Sequence, residues 1–420
     1  MSLPAVQADF KTANPHALAT ILEASETKSI IASSDIFDIS GIKLWARDQP
    51  VSRDLQRKLM DRALSKPLET SLMVEDGVTS ATLAQEVARL LKDDGPLRPL
   101  LMPYAEALIK GAASIHLHSV VQLLLSTVQT ARPQAFAHAV EAMAVAGALA
   151  RGRGGDDKLV SMAMTAGLLH DVGEMYVAPE YGEADAMATL DVESYRQLVV
   201  HPHIGQLLLT QLTDYPKDIA RAVGEHHERL DGSGYPHRLT GDKMSTLGRL
   251  LSVTDAGLAA LRSPHANLHH ASVALRVVPG EFDIHLSGPL AAAARAVKPM
   301  EAKGTMSDLQ VSLSRLDVIL QEAMNHIDGT LPAESSEGLQ RAAELSRYLL
   351  HKLRQGWNES GLWSLGTITP EDMAEAEAVQ DALRLRLREI ERAARLAAGK
   401  LGGDEEEVLN QMCKGLVDPS

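Results

Sequence analysis

Several residue types and patterns are scarce in this sequence. One cysteine, Cys413, occurs among 420 residues, which excludes an internal disulfide framework and favours a reducing compartment. Aromatic residues make up only 3%, so helices packed through Ala and Leu are expected. No apolar run approaches the roughly 20 residues that a membrane helix needs. The first ten residues lack a basic start followed by an apolar run, so we expect no signal peptide and a cytoplasmic protein.

Positive charge is also in short supply. The sequence has 41 Lys and Arg against 55 Asp and Glu, which gives a formal net charge of −14. A general nucleic-acid-binding surface needs a basic face, so that class of protein is excluded. A small anionic ligand is not excluded, because a local metal cluster can outweigh the average field. We therefore expect neither a nucleic-acid polymer nor a membrane as partner.

Hydrophobic spacing predicts a mainly α protein built from several segments. Short apolar stretches at residues 30–32, 36–37 and 42–45 surround a Ser-Gly turn and indicate a hairpin. Helical periodicity then dominates. The predicted segments are a small N-terminal α+β module (1–77), an all-helical domain with its motifs at 134–275 (78–290), a C-terminal helical bundle or coiled-coil-like extension (300–402), and an acidic tail expected to fray (403–420).

Histidines and aspartates recur at intervals that suit one helix and its connection. The candidates in chain order are His138, His170, Asp171, His201, His226, His227 and Asp255. Helix bundles build metal sites from ligands that project inward from several helices. We therefore expect these residues to converge inside one bundle. Other histidines nearby, His203 and His237 among them, are interpreted as ordinary core or surface residues.

The candidate ligands divide between two ions that share one carboxylate. We assign His138, His170 and Asp255 to one ion, His201, His226 and His227 to the other, and Asp171 to both. Imidazoles with nearby carboxylates suit borderline metals such as iron, manganese or zinc. Two such ions supply a hydroxide nucleophile and neutralise phosphoryl oxygens. The sequence thus predicts a binuclear site for phosphoester hydrolysis, with His170 and Asp171 as catalytic residues.

The same residues resemble a known family, the HD-GYP subgroup of the HD-domain phosphohydrolases. The motifs are His170-Asp171-Val172-Gly173, His201-Pro202 with Gly205, and His226-His227-Glu228 followed by Asp231-Gly232 and Gly234-Tyr235-Pro236. The segment from Arg249 to Asp255 resembles the closing metal-aspartate segment of that family.

This resemblance implies a function and a cofactor. It implies an all-helical domain with a bi- or trinuclear iron or manganese site, which hydrolyses cyclic di-GMP to linear pGpG or GMP. It also implies that Asp231, Gly234, Tyr235 and Pro236 shape the loop beside the substrate. The simpler interpretation of that loop is a plain turn, with Gly for backbone freedom and Pro for stiffness.

The sequence departs from the family pattern at three places. Glu174 stands where the family usually has a Lys that contacts substrate phosphate, and a carboxylate there would repel a phosphodiester by about 1 kcal/mol. Gln134 stands where the family often has Glu, so two ions rather than three are expected. Arg262, followed by Ser263-Pro264-His265, is a remnant of an Arg-Pro-Tyr-Arg-like run that helps to hold substrate.

Three functions are compatible with these residues. The leading hypothesis is a metal-dependent phosphodiesterase for cyclic di-GMP or a related cyclic dinucleotide. A second is an HD-type phosphohydrolase with another phosphoester substrate, motivated by Glu174. A third is a non-catalytic signalling module that keeps its metal for folding and binds protein partners through the N-terminal module or the C-terminal helices. A homodimer is compatible with each.

Overall fold

The computed structural model describes most of the chain. The described residues are 10–178, 199–262, 266–298, 301–302, 304–361, 372–399, 401–414 and 416. They are mainly α-helical, which confirms the predicted fold class. They divide into two compact units, the first comprising the described residues up to 258 and the second those from 259 onward. This division differs from the predicted segments 1–77, 78–290 and 300–402, whose boundaries remain a prediction.

The first unit begins with a small α+β segment. Its elements are α1 (Pro15–Ser25), β1 (Ile30–Ala32), β2 (Ile36–Phe37), β3 (Lys43–Trp45), α2 (Arg53–Leu59), a 3-10 turn (Leu68–Ser71) and β4 (Leu72–Val74). Strands β2 and β3 pair antiparallel, as the Ser-Gly turn predicts, whereas β1 pairs antiparallel with the more distant β4. The core of this segment includes Leu123 from a following helix, so it packs continuously onto the helices.

Helices fill the rest of the first unit. They are α3 (Ser80–Lys92), α4 (Arg98–Leu101), α5 (Ala105–Ser114), α6 (Ser119–Ala131), α7 (Pro133–Gly152), α8 (Asp157–Leu169), α9 (His201–Leu212), α10 (Lys217–Glu225) and α11 (Thr246–Ala259, at the unit boundary), with 3-10 turns at Met102–Tyr104, Val172–Tyr176 and Gly241–Lys243. Among the described residues no single helix is long and apolar enough to cross a membrane, although a pair bent by 116°, Arg98–Ser114 with Ser119–Ala131, passes by length and composition.

Helices α7 and α8 form the centre of this unit. Helix α7 starts with Pro133, whose missing N–H costs nothing at a first helical position. Helix α8 is capped by Asp156, whose carboxylate accepts the N–H of Leu159 at 2.8 Å. Ala-rich faces let the two helices pack closely, and both are buried along most of their length. This packing brings the rings of His138 and His170 to 5.1 Å.

The second unit is a separate helical assembly. Its helices are α12 (Leu268–Ala274), α13 (Ile284–Arg295), α14 (Met306–Thr330), α15 (Glu337–Ser360), α16 (Met373–Ala398) and α17 (Gly403–Lys414). The predicted stripe of Leu309, Leu313, Leu316 and Leu320 is buried in its core beside Trp357. The prediction that the acidic tail frays is wrong for α17, because Leu409, Met412 and Cys413 are buried against that core.

Candidate metal centre

The candidate ligands lie at the ends and inner faces of five helices. His138 projects from α7, His170 and Asp171 directly follow α8, His201 opens α9, His226 and His227 follow α10, and Asp255 lies in α11. Helix ends place several of these side chains where the backbone changes direction. Of these residues, all except His138 and Asp171 are almost completely buried.

Asp171 lies at the centre of a cluster of imidazoles. Its Oδ2 atom is 3.0 Å from Nε2 of His170 and 3.6 Å from Nε2 of His138. Its Oδ1 atom is 3.3 Å from Nε2 of His226 and 3.4 Å from Nε2 of His201. Each carboxylate oxygen therefore faces its own pair of imidazoles, which is the arrangement expected of a ligand shared by two ions.

Two groups of potential ligand atoms result from this arrangement. One contains His138, His170 and Asp171, and the other contains Asp171, His201, His226 and His227. Within each group, all ligand atoms lie within 4.8 Å of one another. The structure thus brings together six of the seven candidate ligands in the two sets that their order along the chain suggests.

Asp255 makes a contact that the sequence did not predict. The sequence grouped this residue with His138 and His170. In the structure Oδ2 of Asp255 lies 3.2 Å from Nδ1 of His227, a member of the other group. A carboxylate on one ring nitrogen fixes the tautomer of a metal-binding histidine and raises its basicity. The geometry therefore gives Asp255 an orienting contact with His227.

Backbone carbonyls fix the tautomers of two imidazoles. Nδ1 of His170 lies 2.8 Å from the carbonyl oxygen of Gly167, and Nδ1 of His226 lies 2.6 Å from that of Val223. Because a carbonyl only accepts, each Nδ1–H must donate. In the neutral rings Nε2 then carries a lone pair that points toward Asp171. This is the tautomer that a metal ligand requires.

The electrostatics of the cluster call for a cation. Burial lowers the pKa of His226 to about 4, with a smaller effect from His227, so this ring is neutral at pH 7. A lone pair of His226 therefore faces a carboxylate oxygen with no proton between them. The donor set fits a divalent metal, which would relieve this repulsion.

The loop after His227 is anchored by buried carboxylates that sequence reasoning did not single out. Oε1 and Oε2 of Glu228 accept the backbone N–H groups of His237 at 2.5 Å and Leu239 at 2.8 Å. Oε2 of Glu225 accepts both the N–H and the hydroxyl of Ser245, at 2.8 and 2.6 Å. Glu225 and Glu228 flank the histidine pair in the sequence, and this adjacency was the signal that could have identified them. These two residues hold the loop and the start of α11 against the cluster.

The predicted loop residues occupy this anchored segment. The carboxylate of Asp231 accepts the N–H and the hydroxyl of Ser233, at 3.0 and 2.6 Å, and so closes a turn. A Cβ atom on Gly234 would lie 2.4 Å from backbone atoms of Arg229 and His227, so only glycine fits there. Tyr235 and Pro236 are joined by a cis peptide bond.

The two predicted substrate residues outside the loop have different surroundings. Glu174 lies in the 3-10 turn Val172–Tyr176, and its charge raises the pKa of the half-buried Arg132 against a larger lowering by burial. Arg262 belongs to the second unit, where its N–H donates to Ala259 O. Residues 263–265 of the expected Arg-Pro-Tyr-Arg-like remnant lie outside the described part of the chain.

Comparison with known proteins agrees with this geometry. Residues 122–277 match the family model of the HD domain. Over 145 residues the chain is 32% identical to a cyclic di-GMP phosphodiesterase of Pseudomonas aeruginosa, covering 34% of each protein. Over 90 residues it is 36% identical to the 3'3'-cGAMP-specific phosphodiesterase 3 of Vibrio cholerae, covering 21% of this chain and 19% of that protein. Residues 122–277 therefore match an HD domain, within which the motifs quoted above lie.

A third relative extends this pattern. Over 112 residues the chain is 30% identical to a cyclic di-GMP phosphodiesterase response regulator of Xanthomonas campestris, covering 26% of this chain and 29% of that protein. The chain therefore spans about a third or less of the length of these curated relatives. All seven candidate ligands lie within residues 122–277, which match the HD domain.

Proposed function

We propose that this protein is a metal-dependent phosphodiesterase that hydrolyses cyclic di-GMP or a related cyclic dinucleotide. The observation that carries the proposal is the carboxylate of Asp171, with a separate pair of imidazoles at each oxygen. The relatives support the substrate class, because they are named as phosphodiesterases of cyclic di-GMP and 3'3'-cGAMP.

The residues would hold two divalent ions, and we propose iron or manganese. His138, His170 and Asp171 would bind one ion, and Asp171, His201, His226 and His227 the other. When bound, such ions supply Lewis acidity toward phosphoryl oxygens and an activated water near neutral pH. The mixed imidazole and carboxylate donors suit iron and manganese.

The contribution of the protein itself is orientation and burial. The carbonyls of Gly167 and Val223 fix His170 and His226, and Asp255 orients His227. Burial of the imidazoles lowers the local dielectric constant, which strengthens the electrostatic interactions of the charges in the site. Hydrolysis then forms one phosphorus–oxygen bond from water and breaks the ester bond, whose oxygen takes up a proton.

The test is a product analysis of anaerobically purified protein loaded with Fe²⁺ or Mn²⁺. The proposal predicts linear pGpG or GMP from cyclic di-GMP, or the corresponding products from 3'3'-cGAMP. A metal-loaded protein that leaves both dinucleotides intact would contradict it. In that event a panel of other phosphoesters tests the second candidate, an HD-type phosphohydrolase with another substrate. Glu174 motivates this candidate, because it replaces the Lys that the resemblance places at the substrate phosphate.

Three further features remain proposals. We infer a cytoplasmic protein, because a single cysteine among 420 residues suits a reducing compartment. Protein partners would bind the N-terminal segment or the C-terminal helices, and a homodimer would be detected by light scattering. A non-catalytic role would be favoured if cellular function survived the paired change His170→Ala and Asp171→Ala.

A further inference from the structure

The 3-10 turn after the bridging aspartate, Val172–Tyr176, is pressed against the start of α9. A Cβ atom on Gly173 would lie 2.0 Å from the carbonyl oxygen of His201 and 2.8 Å from the nitrogen of Gly205. Backbone therefore packs on backbone, with no side chain to cushion a shift. Because Asp171 opens this turn and His201 opens α9, the position of the turn sets the distance between two candidate ligands.

The opposite side of the turn is held by the N-terminal segment. The hydroxyl of Tyr176 donates to Oε1 of Glu69 at 2.8 Å, and both side chains are buried, with 7% and 3% exposure. The side-chain amide of Asn14 donates to the carbonyl oxygen of Tyr176 at 3.1 Å. The ring of Phe10 meets the ring of Tyr176 edge-on at 5.6 Å. Three residues of the N-terminal segment thus contact Tyr176: Phe10, Asn14 and Glu69.

Arg132 ties the same segment to α7. One guanidinium nitrogen donates to Oγ1 of Thr20, in α1, at 2.9 Å, and the other donates to the carbonyl oxygen of Glu174 at 3.5 Å. Arg132 directly precedes α7, which carries His138. Helix α1, the turn and α7 are therefore joined by one side chain. The contacts of Tyr176 and Arg132 together connect the N-terminal segment to the turn that follows Asp171 and to the helix that carries His138.

We propose that the hydrogen bond between Glu69 and Tyr176 is a positioning contact, through which the N-terminal segment fixes Asp171 against His201 and so sets metal affinity. The inference rests on the proposed metal centre. Removing one partner of a buried hydrogen bond leaves the other unsatisfied, and the group then seeks a new partner. A shift of the turn toward a new partner would move Asp171, which directly precedes the turn.

The test measures Mn²⁺ affinity of the metal-stripped full chain by competition with a chelating dye. Tyr176→Phe and Glu69→Leu are expected to weaken Mn²⁺ binding about tenfold, the equivalent of one buried hydrogen bond. Glu69→Gln keeps an acceptor for the tyrosine hydroxyl and should stay within about twofold of wild type. The matched control is Asp38→Asn, which weakens the ion pair between the buried Asp38 and the half-exposed Arg62 in the same N-terminal segment without touching the turn.

A purely structural role predicts a different result. In that case Mn²⁺ affinity would follow the free energy of unfolding, and Asp38→Asn would weaken binding as much as Tyr176→Phe at equal loss of stability. That outcome, or unchanged affinity in Tyr176→Phe, overturns the inference. If Glu69→Leu does not fold, Tyr176→Phe decides. Wild-type protein that binds no Mn²⁺ would instead contradict the metal centre itself, so the two failures are distinguishable.

Discussion

The phenol ring of Tyr235 stacks on the imidazole of His227, with centroids 4.6 Å apart and ring planes 29° apart. The backbone N–H of Tyr235 also donates to the carbonyl oxygen of His227 at 3.1 Å. His227 is thus held on one side by this ring, while its Nδ1 atom meets Asp255. The loop motif and the metal ligands are therefore one packed unit, and the tyrosine contributes to ligand orientation.

Removal of the Tyr235 ring should loosen His227 without unfolding the protein. A stacked pair contributes about 0.5–1.5 kcal/mol beyond its buried area, so Tyr235→Ala is expected to reduce kcat/KM for the cyclic dinucleotide by about three- to tenfold. Tyr235→Phe keeps the stack and should retain wild-type metal content and KM. If Phe loses as much activity as Ala, the hydroxyl rather than the stack would be responsible.

Gly234 provides a second test of the loop. Gly234→Ala would place Cβ 2.4 Å from backbone atoms of Arg229 and His227, and backbone cannot give way as a side-chain tip can. We expect lost activity and a destabilisation of about 1–3 kcal/mol, measured by denaturant unfolding. Gly95→Ala is the control, because a Cβ there meets nothing within 4 Å. Normal activity in Gly234→Ala would show that the loop is less tightly packed than described.

The buried Glu69 gives a pH dependence with a defined sign. Burial raises the pKa of Glu69, against smaller lowering effects of its own backbone N–H and the Tyr176 hydroxyl. The folded state therefore keeps this proton to a higher pH than the unfolded state, whose pKa is about 4.3. The contribution of this proton to the free energy of unfolding is fully present below the pKa of Glu69 in the unfolded state. It is lost as the pH rises through the pKa of Glu69 in the folded state.

Glu69→Gln should remove that dependence, because an amide does not titrate. The free energy of unfolding of Glu69→Gln minus that of wild type should increase as pH rises from about 4 to about 8. Tyr176, the partner, does not titrate in this range, because burial raises its pKa well above 10. Parallel pH profiles for the two proteins would contradict the assignment.

Glu174 should affect substrate binding rather than metal binding. Its carboxylate is balanced by the nearby Arg132, and it stands at the sequence position where the resemblance implies a substrate-binding Lys. Glu174→Gln is expected to lower KM for cyclic di-GMP about two- to fivefold with little change in kcat, since about 1 kcal/mol of repulsion is removed. Glu174→Lys should be less stable than Glu174→Gln, because it sets a second cation beside Arg132. An unchanged KM in Glu174→Gln would mean that this position does not contact substrate.

The helical fold and the convergence of the ligands were predictable from the sequence. Apolar residues at three- and four-residue steps, such as Leu309, Leu313 and Leu316, define a buried face whatever their partners. Candidate ligands that are separated by one helix and its connection can project from successive helices into the interior of one bundle. Both inferences need only the spacing of residue types along the chain. The prediction that the C-terminal tail frays was wrong because it rested on the acidic composition of the tail. Leu409 and Met412 already indicated an apolar helix face there.

Contacts that join distant segments were not predictable. The pairing of β1 with β4 and the bond from Tyr176 to Glu69 span long stretches of chain, and a single sequence carries no periodic signal for either. The contact of Asp255 with His227 depends on how α11 rotates against α10, which residue types alone do not determine. The anchoring roles of Glu225 and Glu228 likewise appear only when the loop backbone is in place.

The most direct measurement is elemental analysis of anaerobically purified wild-type protein and its Asp171→Ala variant, followed by product analysis with cyclic di-GMP. His203→Ala is the control, since this histidine lies in the same helix as His201 but outside both ligand groups. The account predicts about two divalent ions per chain and linear product for wild type and control, with both lost in Asp171→Ala. Undiminished metal and turnover in Asp171→Ala would contradict the shared-carboxylate centre.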